Sequence, residues 1–351
     1  MSNIPKSQKA VIFYEHNGPL EYKDVATPTP KPNELLINVK YSGVCHSDLH
    51  AWKGDWPYPT ILPLIGGHEG IGEVVSFGSE VTGWSIGDLA GMKWLNYACM
   101  ECEYCLADKE QACDSFEFTG YTTNGTFQQY ATVDYRQAAR IPNSASSNIA
   151  ELSPILCGGL TSYSGIKSMG LKPGQWITIV GAAGGLGNLG IQFSKAMNLK
   201  VIALDSGFEK GQFVKELGAD EYVDISNTEN VAEKIIEITN GGSHGVLNVS
   251  SSNQALNSSF EYARKLGKVV IIGIPLNGEF KYGVSAAISK CLNIYASSVG
   301  NKKETEEAIQ FALDGKVKCP IKVVGLSELP DVYKLMSENK VKGRYVVDTS
   351  R

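Results

Sequence analysis

The sequence predicts an α/β chain in two domains: a β-rich one over residues 1–156, a doubly wound parallel sheet over 157–298, and a return to the first domain over 299–351. Three observations carry that expectation. The chain has 351 residues, more than one small core accommodates, and at roughly 100 to 200 residues per domain it should hold about two. Up to residue 150 or so the texture is one of short β-branched and aromatic runs broken by Pro and Gly, with no long helical period. Beyond it, apolar strands alternate with helical segments, starting at a glycine-rich turn.

Composition limits the function. The chain is 43% hydrophobic and 20% charged, with 32 Lys plus Arg against 37 Asp plus Glu and a net charge of −5. No basic run tracks a phosphate backbone, which speaks against nucleic acid as a partner. The opening Met1–Ser7 has no apolar leader, and no stretch has the uninterrupted apolar length of a membrane helix, so the cytosol is the expected compartment. Eight cysteines in a reducing compartment point to metal or catalysis before disulfides.

In the first domain, Ala10–Tyr14, Glu34–Lys40 and Gly72–Phe77 read as strands, and Gly78–Val81 with Gly83–Asp88 as turns of a small folded-over barrel. Between them, Gly43–His50 and Gly66–Glu69 gather a thiol, a hydroxyl, imidazoles and carboxylates in a short span. Zinc prefers Cys sulfur and His nitrogen, and a catalytic zinc keeps three protein ligands and one open position. Cys45 and His68 offer two of the three; a buried Cys and a hydrogen-bonded His are also ordinary core residues. The sharpest signal is Cys99, Cys102, Cys105 and Cys113, spaced C-x2-C-x2-C-x7-C. Four sulfurs within fifteen residues, with no regular structure expected between them, can close a tetrahedral structural zinc site. An iron–sulfur cluster is the competing reading, although the fourth Cys comes late and no Pro follows it.

The second domain begins with a helical Ala150–Tyr163 that makes Cys157 available as a third soft ligand. The apolar strand Trp176–Val180 then runs into Gly181-Ala182-Ala183-Gly184-Gly185-Leu186-Gly187 and a helical Gln192–Met197. Strand, glycine turn and helix form the pyrophosphate-gripping part of a Rossmann unit, and the frame from Gly181 to Gly187 suits it better than Gly185, Gly187 and Gly190, which start too far past the strand. The next strand, Lys200–Leu204, ends in Asp205, eighteen positions beyond Gly187, where a carboxylate accepts from ribose hydroxyls and repels a 2′-phosphate. That predicts NAD over NADP. Lys210 could add a bond to the same ribose or be a solvated surface lysine. Strands at Glu221–Ile225, Gly245–Val249, Lys268–Ile274 and Asn293–Ser297, separated by helices at 229–239 and 253–266, complete the sheet. Helices at 304–312 and 329–339 and a strand at Gly343–Val347 close the chain.

Gly66–Gly70, the four-cysteine loop, Gly181–Gly187 and the closing Gly343-Arg344-Tyr345-Val346-Val347-Asp348 together resemble the zinc-dependent medium-chain alcohol dehydrogenases. Tyr41–Trp52 and Phe127–Thr132 resemble the yeast alcohol dehydrogenases in particular. The resemblance spans essentially the whole chain. It implies a GroES-like catalytic domain, an NAD-binding Rossmann domain, two zinc ions per chain, a homotetramer, and reversible NAD-linked oxidation of alcohols to aldehydes or ketones. On the same likeness, Cys45, His68 and Cys157 hold the catalytic zinc, with Asp48 orienting His68. Glu69 is an alternate ligand or an ion-pair residue. A proton leaves through Ser47, the nicotinamide ribose and His50, or His50 is a structural residue. His46 resembles a pyrophosphate contact, or is a surface imidazole, and Arg344 looks like the pyrophosphate-binding arginine. Ile272, Ile274, Ser297 and Val299 lie at strand ends whose backbone can meet nicotinamide.

Trp56 and Trp94 resemble the aromatic walls of the substrate pocket, or are core residues, as buried tryptophans usually are. Ile274 and Ser298 stand where ethanol-active yeast enzymes carry larger Met and Tyr, which implies room for secondary alcohols and bulky ketones. Cys291 and Cys319 have no assigned role. A zinc-lacking quinone or enoyl reductase of the same fold would keep the glycine turn and lose Cys45, His68 and Cys157; a non-enzymatic protein would tolerate loss of Ser47 or His50. Neither loss is seen.

Overall fold

A computed structural model of the chain describes residues 4–145, 149–338, 340–341 and 343–351. Met1–Asn3, read above for a leader, and Asn339, the expected end of a helix, lie outside the described residues. The chain divides into two compact units. One takes the chain up to Cys157 together with Asn301–Gln310 and Cys319–Arg351; the other is Gly158–Gly300 with Phe311–Lys318.

The first unit is built on Glu34–Gly43, whose Leu35, Ile37 and Val39 alternate into one core with Val74, Ala90, Met92, Ala131 and Val133. Around it the sheet runs Ala139–Ile141, Leu89–Met92, Glu69–Phe77, Glu34–Gly43, Arg344–Asp348, Ile321–Gly325, with Tyr130–Asp134 also paired to the central strand. The closing strand pairs antiparallel with the central one, setting Val346 opposite Gly43, and Gly43 is also opposite Glu69. That register brings two distant segments to either side of a residue without a side chain. A smaller sheet, Glu21–Ala26, Ser7–Phe13 and Leu64–Ile65, leads the chain towards Gly66 and Gly67.

The second unit is a six-stranded all-parallel sheet in the order Glu221–Asp224, Lys200–Asp205, Trp176–Val180, Ser243–Asn248, Ala263–Ile271, Asn293–Ala296. The order reverses between Trp176–Val180 and Ser243–Asn248, and ligands of such sheets bind outside the carboxyl ends of the strands at that switch point. Val180, Ile202, Leu204, Val246 and Val269 are buried, as a sheet covered on both faces requires.

Four local expectations are corrected. The segment after Cys45 is an α-helix, His46–Lys53, in the span for which the sequence offered no long helical period. Eight residues are too few for a visible period, but both ends are marked: Asp48 at the third position and Gly54 in the left-handed conformation (φ 67°) just past the end. The four-cysteine loop holds a short helix, Glu103–Leu106, and a 3-10 turn, Glu110–Ala112, where no regular structure was expected; C-x2-C spacing is close to one helical turn. The helix expected over 150–163 is broken into Ile149–Leu152, a 3-10 turn Ser153–Leu156 and Gly158–Ser168. Pro154 has no N–H to continue the ladder. The helix expected to reach residue 266 ends at Ser258, and the next strand is Ala263–Ile271. Phe260 and Tyr262 are fully buried in the sheet's core there.

Candidate active site

Cys45 caps the helix His46–Lys53, and its backbone N–H donates to Asp48 Oδ2 at 2.8 Å. The other oxygen of Asp48 accepts from His68 Nδ1, also at 2.8 Å, so one fully buried carboxylate both starts the helix and fixes the imidazole. With Nδ1 donating, His68 Nε2 is the free lone pair, and it lies 3.2 Å from Cys157 Sγ. Cys45 Sγ and Cys157 Sγ are 4.0 Å apart. Cys157 follows the 3-10 turn at a backbone position outside any helix, which separates its thiol from the helix that comes next. The ligand atoms of Cys45, His68, Glu69 and Cys157 all lie within 4.8 Å of one another, and all four residues are buried.

The donor set fits zinc. Bonds of about 2.3 Å to sulfur and about 2.0 Å to nitrogen at tetrahedral angles require roughly 3.8 Å between sulfurs and roughly 3.6 Å between sulfur and nitrogen. The observed spacings fall around those values. The hydrogen bond from Cys157 holds the Cys45 thiol well below its usual range against burial, with His68 and Arg344 adding to the effect. The Cys157 thiol is pushed up by its bond to Cys45 and by burial. Burial opposes the charge on His68, but the Asp48 carboxylate overcomes it and raises the imidazole well above its ordinary value.

Glu69 faces Arg344, whose Nη2 donates to both carboxylate oxygens. Burial pushes the Glu69 carboxyl up to about 7 against the pull of the guanidinium. A Cβ at Gly43 would sit 1.9 Å from Glu69 Oε2, so only glycine lets this carboxylate reach across the central strand. Arg344 Nε is buried and has no hydrogen-bond partner among the described residues. Glu69 thus makes the ion pair that was one of its two readings, with Arg344 as a partner the sequence did not foretell.

Ser47 Oγ is 3.7 Å from Cys45 Sγ. His50, in the last turn of the same helix, meets Asp55 Oδ1 through Nδ1 at 2.7 Å and stacks on Trp56, with ring centres 5.2 Å apart and planes 18° apart. Trp56 meets Trp94 edge-on at 6.0 Å, and Trp94 meets His68 edge-on at 4.9 Å. Of the two expected walls, Trp94 therefore packs on a ligand of the set and Trp56 packs on Trp94 behind it. His46 is exposed.

In the four-cysteine lobe the sulfurs are also within 4.8 Å of one another, with Cys99 Sγ 3.9 Å from Cys105 Sγ and 3.5 Å from Cys113 Sγ. Leu95, Ala98 and Phe118 are the small apolar cluster beneath it. Glu110, buried, accepts from the Lys302 N–H at 2.6 Å and ties the lobe to the helix Lys302–Leu313. A cavity of about 490 Å³ beside this lobe, lined by Lys31, Glu34, Asn96 and Arg136 among others, contains none of the Cys45, His68 and Cys157 set.

In the second unit, Gly181 is left-handed (φ 79°) and a Cβ at Gly187 would lie 2.2 Å from Gly181 O, so the turn demands glycine at both positions. Gly187 opens the helix Gly187–Ala196. Asp205 Oδ2 accepts from Ala183 N–H at 2.9 Å, which joins the strand-end carboxylate to the glycine turn, and Oδ1 accepts from Lys210 Nζ at 2.7 Å. Lys210 is half-exposed but paired. The amides of Ile272 and Ser297 are used within the unit, donating to Asn248 O and Ile271 O. Ile274 and Ser298 are exposed, and Val299 adopts φ 41°, an outlier for a β-branched residue. Cys291 is exposed; Cys319 is buried, and burial pushes its thiol up to about 11.

Missed by sequence reasoning were Gly43, Asp55 and the second task of Asp48. The capping pattern at Asp48 was readable; the contacts of Gly43 and Asp55 depend on folding.

Comparison with known proteins agrees with this geometry. Residues 31–143 match the family model of the alcohol dehydrogenase GroES-like domain, and residues 185–314 match that of the zinc-binding dehydrogenases. Among solved structures, the alcohol dehydrogenase of the hyperthermophilic archaeon Aeropyrum pernix is 29% identical with a TM-score of 0.89, over 97% of this chain and 100% of that one. Acetophenone reductase from Geotrichum candidum, solved with NAD, is 25% identical with a TM-score of 0.86 over 99% of each chain. A cinnamyl alcohol dehydrogenase from Sorghum bicolor is 25% identical with a TM-score of 0.86 over 98% of each. Two domain models in the right order, on a chain with this fold and ligand set, place it in the zinc-binding medium-chain dehydrogenase family, among the oxidoreductases.

Proposed function

We propose that the protein is an NAD-dependent zinc alcohol dehydrogenase of the yeast type, which reversibly oxidises primary and secondary alcohols to aldehydes or ketones and accepts bulky ketones. The observation that carries the reading is the buried set Cys45, His68 and Cys157, backed by Asp48. A zinc bound there would supply a Lewis acid for the alcohol oxygen, and a bound NAD would supply the hydride acceptor. Cys45, His68 and Cys157 would hold that zinc, with Glu69 as alternate ligand, and Cys99, Cys102, Cys105 and Cys113 a second, structural one.

The remaining roles fall to the chain's own groups. Asp48 keeps His68 in the tautomer that presents Nε2. Trp56 and Trp94 exclude water from the ligand set, and Trp56 Nε1, buried without a hydrogen-bond partner among the described residues, is a donor free to meet a substrate oxygen. Ser47 and His50 carry away the proton released on oxidation, His50 accepting it at Nε2. Asp205 accepts the adenosine ribose hydroxyls, which favours NAD, with Lys210 beside it. Gly181–Gly187 grips the pyrophosphate, aided by His46 and Arg344, and the strand ends at Ile272, Ile274, Ser297 and Val299 meet the nicotinamide.

The first unit is then the catalytic domain and the second the cofactor-binding domain of a cytosolic enzyme. A homo-oligomer, tetrameric on the family likeness, is supported by the edge strand Asn293–Ala296, which exposes Ile294 and Tyr295, and by the exposed Val284 and Ile288. Tolerance of bulky ketones is supported by the exposed Ile274 and Ser298 and by the likeness to an acetophenone reductase.

The test is zinc per chain by atomic absorption, expected near two, with NADH formation from ethanol and 2-propanol, and acetophenone reduction compared with a Ser298→Tyr variant. No zinc in the Cys45 site, or NADP used as well as NAD, would sink the corresponding part. Acetophenone kcat/KM unchanged by Ser298→Tyr would remove the bulky-ketone reading alone.

A further inference from the structure

The helix that carries Cys45 at its start ends in a device with no part in zinc binding. Gly54, left-handed at φ 67°, donates its N–H to His50 O at 2.9 Å and turns the chain back on the helix. A Cβ on Gly54 would lie 2.5 Å from the His16 ring, so the reversal is both conformationally and sterically reserved for glycine. The reversal delivers Asp55 and Trp56 to His50. Asp55 Oδ1 is 2.7 Å from His50 Nδ1, and the Trp56 ring lies nearly parallel to the imidazole. The hydrogen bond fixes the ring's rotation and tautomer; the stack fixes its plane. His50 and Asp55 side chains are 23% and 26% exposed, in reach of water without being free in it.

We infer that Asp55 is a positioning residue for proton transfer: it holds His50 with Nδ1 protonated, so that Nε2 is the lone pair that accepts the proton lost by the alcohol. This rests on the reading of His50 as the proton carrier. In the overall reaction the alcohol is oxidised, two electrons leave as hydride and reduce NAD⁺ to NADH, and one proton is left over. That proton forms the Nε2–H bond of His50, the Nδ1–H to Asp55 bond becomes charge-assisted without breaking, and Nε2 later returns the proton to water. Without the Asp55 carboxylate, the neutral imidazole can place its single N–H on either nitrogen, and only one form can accept at Nε2.

The test uses the full-length zinc-loaded enzyme and four variants: Asp55→Ala, Asp55→Glu, His50→Gln and the double variant His50→Gln/Asp55→Ala. Asp55→Ala should lower kcat for alcohol oxidation about ten- to a hundredfold, the range for residues that orient a working imidazole, with KM for alcohol and Kd for NAD within about twofold. External imidazole should recover part of the loss, which it would not do for a folding defect, and Asp55→Glu should recover more than half of it. The double variant should be no slower than His50→Gln. If His50→Gln loses tenfold or more while Asp55→Ala stays within about twofold of the parent, this inference fails and the relay reading stands. If the two losses multiply in the double variant, Asp55 acts elsewhere and the inference fails. If His50→Gln is itself within about twofold, the relay reading falls first.

Discussion

The two cysteine-rich clusters of the first unit are built in opposite ways. Cys99, Cys102, Cys105 and Cys113 come from fifteen consecutive residues, two of them half-exposed, over a small apolar cluster. Cys45, His68 and Cys157 come from a helix start, a strand approach and a turn after a 3-10 segment, and each is buried. The local cluster has little beyond its ligands, a short core and the tie from Glu110 to the Lys302 N–H to hold it, so metal and lobe depend on each other. The distributed cluster is held by the central sheet and by Asp48, contacts that are made between protein groups alone. The first should answer to stability measurements, the second to rate measurements.

The largest effect expected is on the lobe. Cys105→Ala forfeits apparent zinc-binding energy on the order of 10 kcal/mol that the lobe's own packing cannot replace. Limited proteolysis should cut within residues 99–113 and Tm should fall, while the Cys45 site keeps its zinc. A lobe that stays resistant and fully folded would erase the contrast drawn above.

Cys157→Ala should do the reverse. Losing several kcal/mol of transition-state stabilisation corresponds to about a thousandfold in kcat/KM, with Tm barely moved. A drop in Tm as large as that of Cys105→Ala would show that the distributed site is also metal-dependent for its fold.

Asp48→Asn sharpens the same contrast one contact further out. It keeps the cap on Cys45 but weakens the hold on His68, and should reduce zinc affinity about ten- to a hundredfold. Competition with a chromogenic chelator measures it, and an unchanged affinity would show that His68 is oriented by packing alone.

The smallest effect concerns Lys93, fully buried near the lobe with Gln137 as hydrogen-bond partner. Burial lowers its ammonium to about 8 against the pull of Glu110. The native state therefore binds fewer protons than the unfolded chain between that value and the ordinary 10.5, and stability rises with pH across the window. The cost of the buried charge is full below it. Lys93→Met should stabilise by about 1–3 kcal/mol at about pH 7 and by less at about pH 10. Urea unfolding at both values gives the answer; equal effects would mean that the ammonium costs nothing.

The sequence by itself determined what is encoded within a few neighbouring residues. The spacing of the four cysteines, the strand that runs into Gly181–Gly187 and the acid at Asp205 are local patterns, because a turn or a helix start is decided by neighbours in the chain. The alternation of apolar strands and helices determined the parallel sheet for the same reason. Short helices escaped that reading: His46–Lys53 buries too few positions to show a period, and its evidence lay in its ends. Only tertiary structure decided that Cys157 joins Cys45 and His68, that Glu69 meets Arg344 across Gly43, and that Asp55 returns to His50. Those contacts depend on strand register and on chain reversal at a left-handed glycine, which place residues far apart or on opposite sides of a turn within bonding distance. No local pattern carries that information, because the energy that fixes register is spread over the whole buried face of the sheet.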